Sequence, residues 1–263
     1  MKQDIAHTSA IAVYQGKWAD GVDTQWDSTA IAVAKLPAEK LIVVGEDGDV
    51  VAYVGGKSVQ EKLAPDPVMI RNAQTISGNV FACGMKRQVY RRVDEGQWKD
   101  ISAPGAKAEE EVGFEAIDGF SDKDVYAAGW GGEIWHYDGA KWTNRGSPTN
   151  LILSCVCCAP NGVVYIGGQR GTLIRGRDTT WELVPWEDEV GVDIWDVCWF
   201  QEKLYVATMQ TLYTLDGNQL VEVNWGEAGR PTCYNLTSAD GVLWSIGQND
   251  VASFDGTRWQ RYD

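Results

Sequence analysis

Apolar residues along this chain fall in short runs, each closed by glycine, aspartate or asparagine. IVVGEDG (42–48), FACGMKR (81–87), YAAGWGG (126–132), YIGGQRG (165–171), YVATMQT (205–211) and WSIGQND (244–250) share one form, an apolar run followed by a small residue and a turn. Runs this short, bounded by turn formers, predict β-strands. No stretch of a dozen residues places apolar side chains at i, i+3, i+4 and i+7, so no long amphipathic helix is expected. The turn position is Gly45, Gly84, Gly129, Gly168, Thr208 and Gly247, at intervals of 39, 45, 39, 40 and 39. A period this regular marks an internal repeat.

A second feature keeps the same phase. VDEGQW (93–98), YDGAKW (137–142), RDTTW (177–181) and FDGTRW (254–259) each follow the turn by one strand, with YVGGKSV (53–59) and LDGNQL (215–220) as weaker copies and VYQGKW (13–18) as a seventh. Asp-Gly between alternating strands is a strong hairpin signal, because both central residues tolerate positive φ. The unit is therefore strand, strand, glycine turn, strand, Asp-Gly turn and a strand carrying Trp. Trp18, Trp98, Trp142, Trp181 and Trp259 recur at one position, where each ring is expected to cover the joint between neighbouring sheets. Repeat position thus explains the cluster AGWGGEIWHYDGAKW (128–142), including His136, which has no Cys or carboxylate beside it. Trp130 is different: it occupies a turn where the other copies carry Glu46, Met85, Gln169, Met209 and Gln248. Constant geometry with varied chemistry is how a ligand-facing loop behaves.

Units of about 40 residues holding four antiparallel strands predict an all-β propeller. Seven fourth-strand copies predict seven blades in a single domain spanning residues 1–263, with 1–28 as an incomplete N-terminal repeat. A six-bladed ring with residues 1–28 packed on it is the alternative. The Tyr-Asp-Gly-x-x-Trp endings resemble those of bacterial repeat propellers related to the Asp-box and WD-repeat groups, along nearly the whole chain. SFDGTRW (253–259) is one residue shorter than the Asp-box loop, and Trp195-Asp196 opens a unit where a WD dipeptide would close one. The resemblance implies the fold and no particular enzyme.

Composition sharpens this. The 263 residues are 44% hydrophobic and include 13 Trp, 29 Gly and 8 Pro, which supports a sizeable core and excludes wholesale disorder. The start, MKQDIAHTSA, has no apolar signal-peptide core, and nowhere are there eighteen consecutive apolar residues, so a cytoplasmic protein is expected. Cys83, Cys155, Cys157, Cys158, Cys198 and Cys233 lie in apolar runs without a CxxC pair and read as small buried side chains. Adjacent strand residues such as Cys157 and Cys158 point to opposite faces, so no metal site is expected.

The formal net charge is −14. Nucleic acid and anionic membranes are therefore poor partners, whereas a basic protein is a good one. Antiparallel connectivity puts the glycine turns and the long connectors on one edge of each unit. That edge carries Asp23, Asp27, Glu46, Asp47, Asp66, Glu109, Glu110, Glu111, Glu187, Asp188, Glu189, Asp193, Glu227 and Asp250 against Lys86, Arg87, Lys107, Arg145, Arg170 and Arg230. Trp26, Trp130, Trp186 and Trp225 are interspersed. Aromatic residues among carboxylates are the composition of an interface for a basic protein. The residues expected to contact the partner are Trp130, Glu109, Glu110, Glu111, Trp186, Glu187, Asp188, Glu189 and Trp225.

Nucleophile-elbow, HExxH, phosphate-loop and dinucleotide motifs do not occur, and neither catalytic residues nor cofactors are assigned. The sequence thus points to a monomeric protein-binding propeller and not to an enzyme. An immunity or antitoxin protein neutralising a basic toxin fits this composition. A carbohydrate-binding or glycoside-hydrolysing propeller and a general cytosolic scaffold are the alternatives.

Overall fold

The computed structural model describes residues 8–14, 17–186 and 191–262. The second strand of each repeat is the most apolar, and it is buried along nearly its whole length. LIVVG within β4 (Lys40–Gly45), VFACG within β8 (Asn79–Gly84), VYAAG within β12 (Asp124–Gly129) and VYIGG in β16 (Val164–Gly168) show this. A strand covered on both faces reads as a continuous apolar run instead of an alternating one. The fourth strands, β6 (Lys57–Lys62), β10 (Gln97–Asp100), β18 (Thr180–Leu183) and β22 (Gln219–Glu222), are mostly exposed and polar.

Each repeat folds as a four-stranded antiparallel meander. The first sheet is β3 (Ser28–Ala34), β4, β5 (Asp49–Val54) and β6, and the second is β7 (Ile70–Ile76), β8, β9 (Gln88–Asp94) and β10. The third is β11 (Phe114–Ser121), β12, β13 (Ile134–Tyr137) and β14 (Trp142–Asn144). The fourth is β15 (Leu153–Cys158), β16, β17 (Leu173–Arg177) and β18. The fifth is β19 (Ile194–Phe200), β20 (Lys203–Thr208), β21 (Leu212–Asp216) and β22. The sixth is β23 (Asn235–Ala239), β24 (Val242–Ile246), β25 (Val251–Phe254) and β26 (Trp259–Tyr262). The fold is an all-β propeller, and among the described residues it has six such blades.

The expectation of seven blades is therefore corrected to six. VYQGKW falls on the hairpin of β1 (Thr8–Tyr14) and β2 (Lys17–Thr24), whose strands pair with each other in a two-stranded sheet. Ala10 and Val22 of this hairpin pack against Val43 and Val51 of the first blade.

The described residues form two compact units, one within 1–127 and 137–143, the other within 128–136 and 144–263. In each, the first strands of consecutive blades lie side by side, β3 by β7 and β7 by β11 in one, β15 by β19 and β19 by β23 in the other. The core lies between blades. Ile42, Val44 and Val50 meet Ile70, Val80 and Tyr90 in the first unit, and Leu173 and Val184 meet Ile194, Leu204 and Val206 in the second.

Two local devices recur. The first strand carries a register shift at the same place in four blades, between Ser28 and Ala30, Ile70 and Asn72, Leu153 and Cys155, and Ile194 and Asp196. A bulge re-aims the extra residue. Arg71 reaches Glu115 of the next blade at 2.9 Å, and Trp195 stacks on Tyr234 at 4.6 Å. The glycine ending the second strand has another purpose than a turn. At Gly168 the backbone is extended, with φ −168°. A Cβ there would lie 2.4 Å from the Ile152 carbonyl oxygen, as one at Gly84 would from that of Met69. Glycine is required because the preceding connector lies directly on the strand end.

The Asp-Gly hairpins also differ from the expectation of two positive-φ residues. Positive φ occurs at Gly139 and Gly256 and not at Asp138 or Asp255. The aspartate accepts hydrogen bonds from the turn instead: Asp138 from the Ala140 and Lys141 N–H groups, Asp255 from those of Thr257 and Arg258. The Thr257 hydroxyl and these two N–H groups hold the Asp255 carboxyl down at about 2. The Trp closing each hairpin covers a joint in three cases. Trp98 donates to Glu61 of the preceding blade and Trp142 to the Ile101 carbonyl, while Trp259 stacks on Phe254 and meets Trp225. Trp181 packs over Gly176 in its own sheet, and Trp18 is 47% exposed.

Candidate functional site

Connectors and second-to-third-strand turns share one edge of each unit. Ile70 N–H donates to the Glu46 carbonyl at 2.7 Å, Met85 N–H to that of Met69 at 3.0 Å, and Gln169 N–H to that of Ile152 at 3.0 Å. Each connector is thus clamped to the turns beside it.

In the first unit two cations of this edge, Lys86 and Arg87, turn inward. Lys86, held at φ +60°, directs its ammonium onto the carbonyls of Lys107 and Ala108 at 3.2 and 2.8 Å and onto that of Glu110. Arg87 is buried, with Nη1 3.5 Å from the Pro104 carbonyl. Both charges neutralise backbone carbonyls of the connector 101–113. The carboxylates point the other way: Glu46, Asp47, Asp66, Glu109 and Glu111 are exposed and Glu110 is half-buried. Glu110 Oε2 accepts the Lys107 N–H at 3.2 Å, and Lys107 is itself exposed. The outward field of this edge is therefore acidic. Trp26 is half-buried over Gly45 and forms, with Asp27, Glu46, Asp47 and Asp49, a recess of about 220 Å³.

In the second unit Trp130 is half-buried in a 3-10 turn, Trp130–Gly132. Gly132 follows at φ +70°, where a Cβ would lie 2.2 Å from the Thr149 carbonyl oxygen. Trp186 is also half-buried; its indole N–H donates to the Gly171 carbonyl at 3.1 Å and its ring packs on the core cluster around Val184. Trp225 is 6% exposed, with its ring centroid 4.2 Å from that of Trp259. With Tyr205, Asn224 and Gln260 the pair lines an open groove of about 860 Å³. Glu187, Asp188 and Glu189 lie outside the described residues. Asp193, beside them, accepts the Arg170 N–H at 2.9 Å. Asp250 is buried and accepts from both the N–H and the hydroxyl of Thr232 at 2.9 and 2.7 Å. Those bonds and the Arg261 guanidinium keep its carboxyl below the usual range, so Asp250 supports the turn and does not face solvent.

His136 is buried, with Nδ1 2.7 Å from Arg145 Nη2. Among the described residues no three His, Cys, Asp or Glu side chains are grouped as metal ligands. Burial pushes the Cys155 and Cys233 thiols up, which makes them poor nucleophiles.

The exposed apolar residues of the connector edge are not the tryptophans. Val68 and Met69 in the first unit are 47% and 44% exposed, and Met209 in the second is 50% exposed. The sequence pattern singled out neither Val68 nor Met69, which directly precede the strand that opens at Ile70.

No protein-family model matches the chain. Among solved structures, it is similar to virginiamycin B lyase from Staphylococcus aureus, with a TM-score of 0.71 at 12% identity over 90% of this chain and 85% of that one. It is also similar to YCF48 from Cyanidioschyzon merolae, with a TM-score of 0.64 at 14% identity over 92% of this chain and 87% of that one. These likenesses concern the fold, which serves unrelated activities. Among curated proteins, the immune protein Tsi7 of Pseudomonas aeruginosa strain PAO1 is 42% identical over 275 residues, an alignment covering 100% of this chain and 90% of that one. At that identity, end to end, the chain belongs to the family of the immune protein Tsi7.

Proposed function

We propose that this chain is an immunity protein that binds a toxin of basic character and blocks it by occupancy, one molecule to one, in the cytoplasm. The observation that carries the reading is the full-length identity to an immune protein. The acidic connector edge supports a mode of binding by charge. Lys86 and Arg87 are engaged on carbonyls while Glu46, Asp47, Asp66, Glu109 and Glu111 face water, so a basic surface is drawn in and oriented before contact. Many toxins that act on nucleic acid are basic because they must approach phosphate, and an acidic cover competes for the same charges. On the first unit the proposed contacts are Glu109, Glu110 and Glu111; on the second, taken by itself, the proposed contact is Trp130. Glu187, Asp188 and Glu189 extend the same acidic composition.

The test begins by isolating the protein that co-purifies with the tagged chain from its native host and preparing it recombinantly. That protein should be toxic when expressed alone, and harmless when co-expressed with this chain. A partner whose toxicity is unchanged by the chain, or the absence of any specific partner, overturns the proposal.

A further inference from the structure

Exposed apolar side chains are common singly. Val68 and Met69 are two in a row, and they are held. Gln88 clamps the Val68 backbone from both sides: its Oε1 accepts the Val68 N–H at 3.2 Å, and its Nε2 donates to the Val68 carbonyl at 2.9 Å. The clamp is fixed in turn, because Tyr90 donates its hydroxyl to Gln88 Oε1 at 2.6 Å and Gln88 Nε2 also donates to the Met85 carbonyl. The Met69 carbonyl accepts the Met85 N–H, and Arg71, itself gripped by Glu115, places Nη1 3.7 Å from Met69 Sδ. Four polar contacts thus hold this pair of apolar residues at the surface, next in the fold to the exposed Glu46, Asp47 and Asp66. A rigid apolar centre with a charged rim is the anatomy of an interface anchor, and its rigidity lowers the entropy lost on binding.

We infer that the Val68–Met69 knuckle is the apolar anchor of the partner interface, and that its occupant is an apolar recess on the partner ringed by Lys and Arg. This rests on the immunity reading and adds where the toxin is gripped and by what chemistry. Charge complementarity selects the occupant. Exposed carboxylates of Glu46, Asp47 and Asp66 belong to the adjoining turn and connector, so a second copy of this chain, at net charge −14, would be repelled from the same spot.

The chain has four methionines, at 1, 69, 85 and 209, so ε-methyl labelling gives four distinct NMR reporters. The probe is the co-purifying protein described above, made recombinantly. On saturation, the Met69 methyl should shift or broaden with a stoichiometric endpoint. Val68→Ser with Met69→Ser should weaken binding about 30-fold or more, mostly through faster dissociation. Gln88→Ala, which leaves both side chains in place, should weaken it severalfold through lost rigidity. Thermal melting verifies that each variant is folded, and the methyl experiment on unaltered protein needs no variant at all. Wild-type binding with an unmoved Met69 methyl, or with affinity unchanged in the folded double variant, overturns the anchor and leaves the immunity reading standing. If the wild-type chain binds no protein, both fall.

Discussion

Arg92 and Glu61 meet across the joint between the first two blades, with Nη2 2.6 Å from one carboxylate oxygen and Nε 3.0 Å from the other. Both side chains are 1% exposed. The Gly96 N–H and the Trp98 indole also donate to this carboxylate, so the hairpin Trp of the second blade is tied to a charge in the first. Breaking such a pair from one side leaves a buried charge alone. Arg92→Met should therefore cost about 3–5 kcal/mol in denaturant melts, whereas Glu61→Met with Arg92→Met should cost less than either single change. Equal or larger loss in the double variant would contradict this.

Burial by itself would raise the Glu61 carboxyl, but the hydrogen bonds from Arg92, Gly96 and Trp98 outweigh it and hold the group below its ordinary 4.5. A depressed carboxylate stabilises the fold fully above its unfolded value and loses that contribution as pH falls through the lower folded value. Stability should thus be flat above about pH 5 and drop on acidification, with a shallower drop in the double variant. Calorimetric melts at stepped pH provide the comparison.

The repeat glycines separate into two kinds with different costs. Gly84→Ala puts a Cβ 2.4 Å from the Met69 carbonyl oxygen, and should lose about 1–3 kcal/mol while displacing the connector. Gly131→Ala meets nothing within 4 Å but sits at φ +67°, and should lose about 1–2 kcal/mol without disturbing its neighbours. Amide chemical shifts of residues 68–70 distinguish them: they should move in Gly84→Ala and stay in Gly131→Ala.

Lys86→Met removes the ammonium that gathers three carbonyls of the connector 101–113. Amide hydrogen exchange at 107–112 should rise by about tenfold or more, the loss of one charge-assisted hydrogen bond. Unchanged exchange would mean that the segment is held by Glu110 and the Val112 carbonyl without it.

How much of this was legible in the sequence depends on what kind of interaction carried it. Blades were readable because the middle strands are buried on both faces and so spell apolar runs at a fixed period. The blade count was not, because VYQGKW copies the hairpin and the hairpin alone, and sheet membership is decided by what lies beside it. Strand-end glycines were visible, but their reason, contact with a neighbouring connector, is a tertiary fact. At the candidate site the acidic excess was legible from composition. The inward turn of Lys86 and Arg87 was not, since a lysine in a loop reads alike whether its ammonium meets water or carbonyls. Trp225 and Met69 show the same limit from opposite sides. The aromatic residue is buried against Trp259, while the thioether, which no repeat position marked, faces solvent.

Exposed carboxylates on the connector edge should govern the speed of encounter. Glu109→Lys with Glu111→Lys should slow association with the co-purifying partner by about tenfold at low salt and flatten its dependence on ionic strength, with little change in dissociation. Stopped-flow or surface-based kinetics at several salt concentrations resolve this, and a salt-independent wild-type association rate would remove the steering role of this edge.

Titrating the isolated toxin's activity with increasing amounts of this chain tests neutralisation by occupancy most directly. The expected result is a linear fall in activity that reaches zero at one equivalent and does not change with time. Activity unaffected at a large excess of the chain would contradict neutralisation. Progressive loss at a small fraction of an equivalent would show that the chain acts by turnover and not by binding.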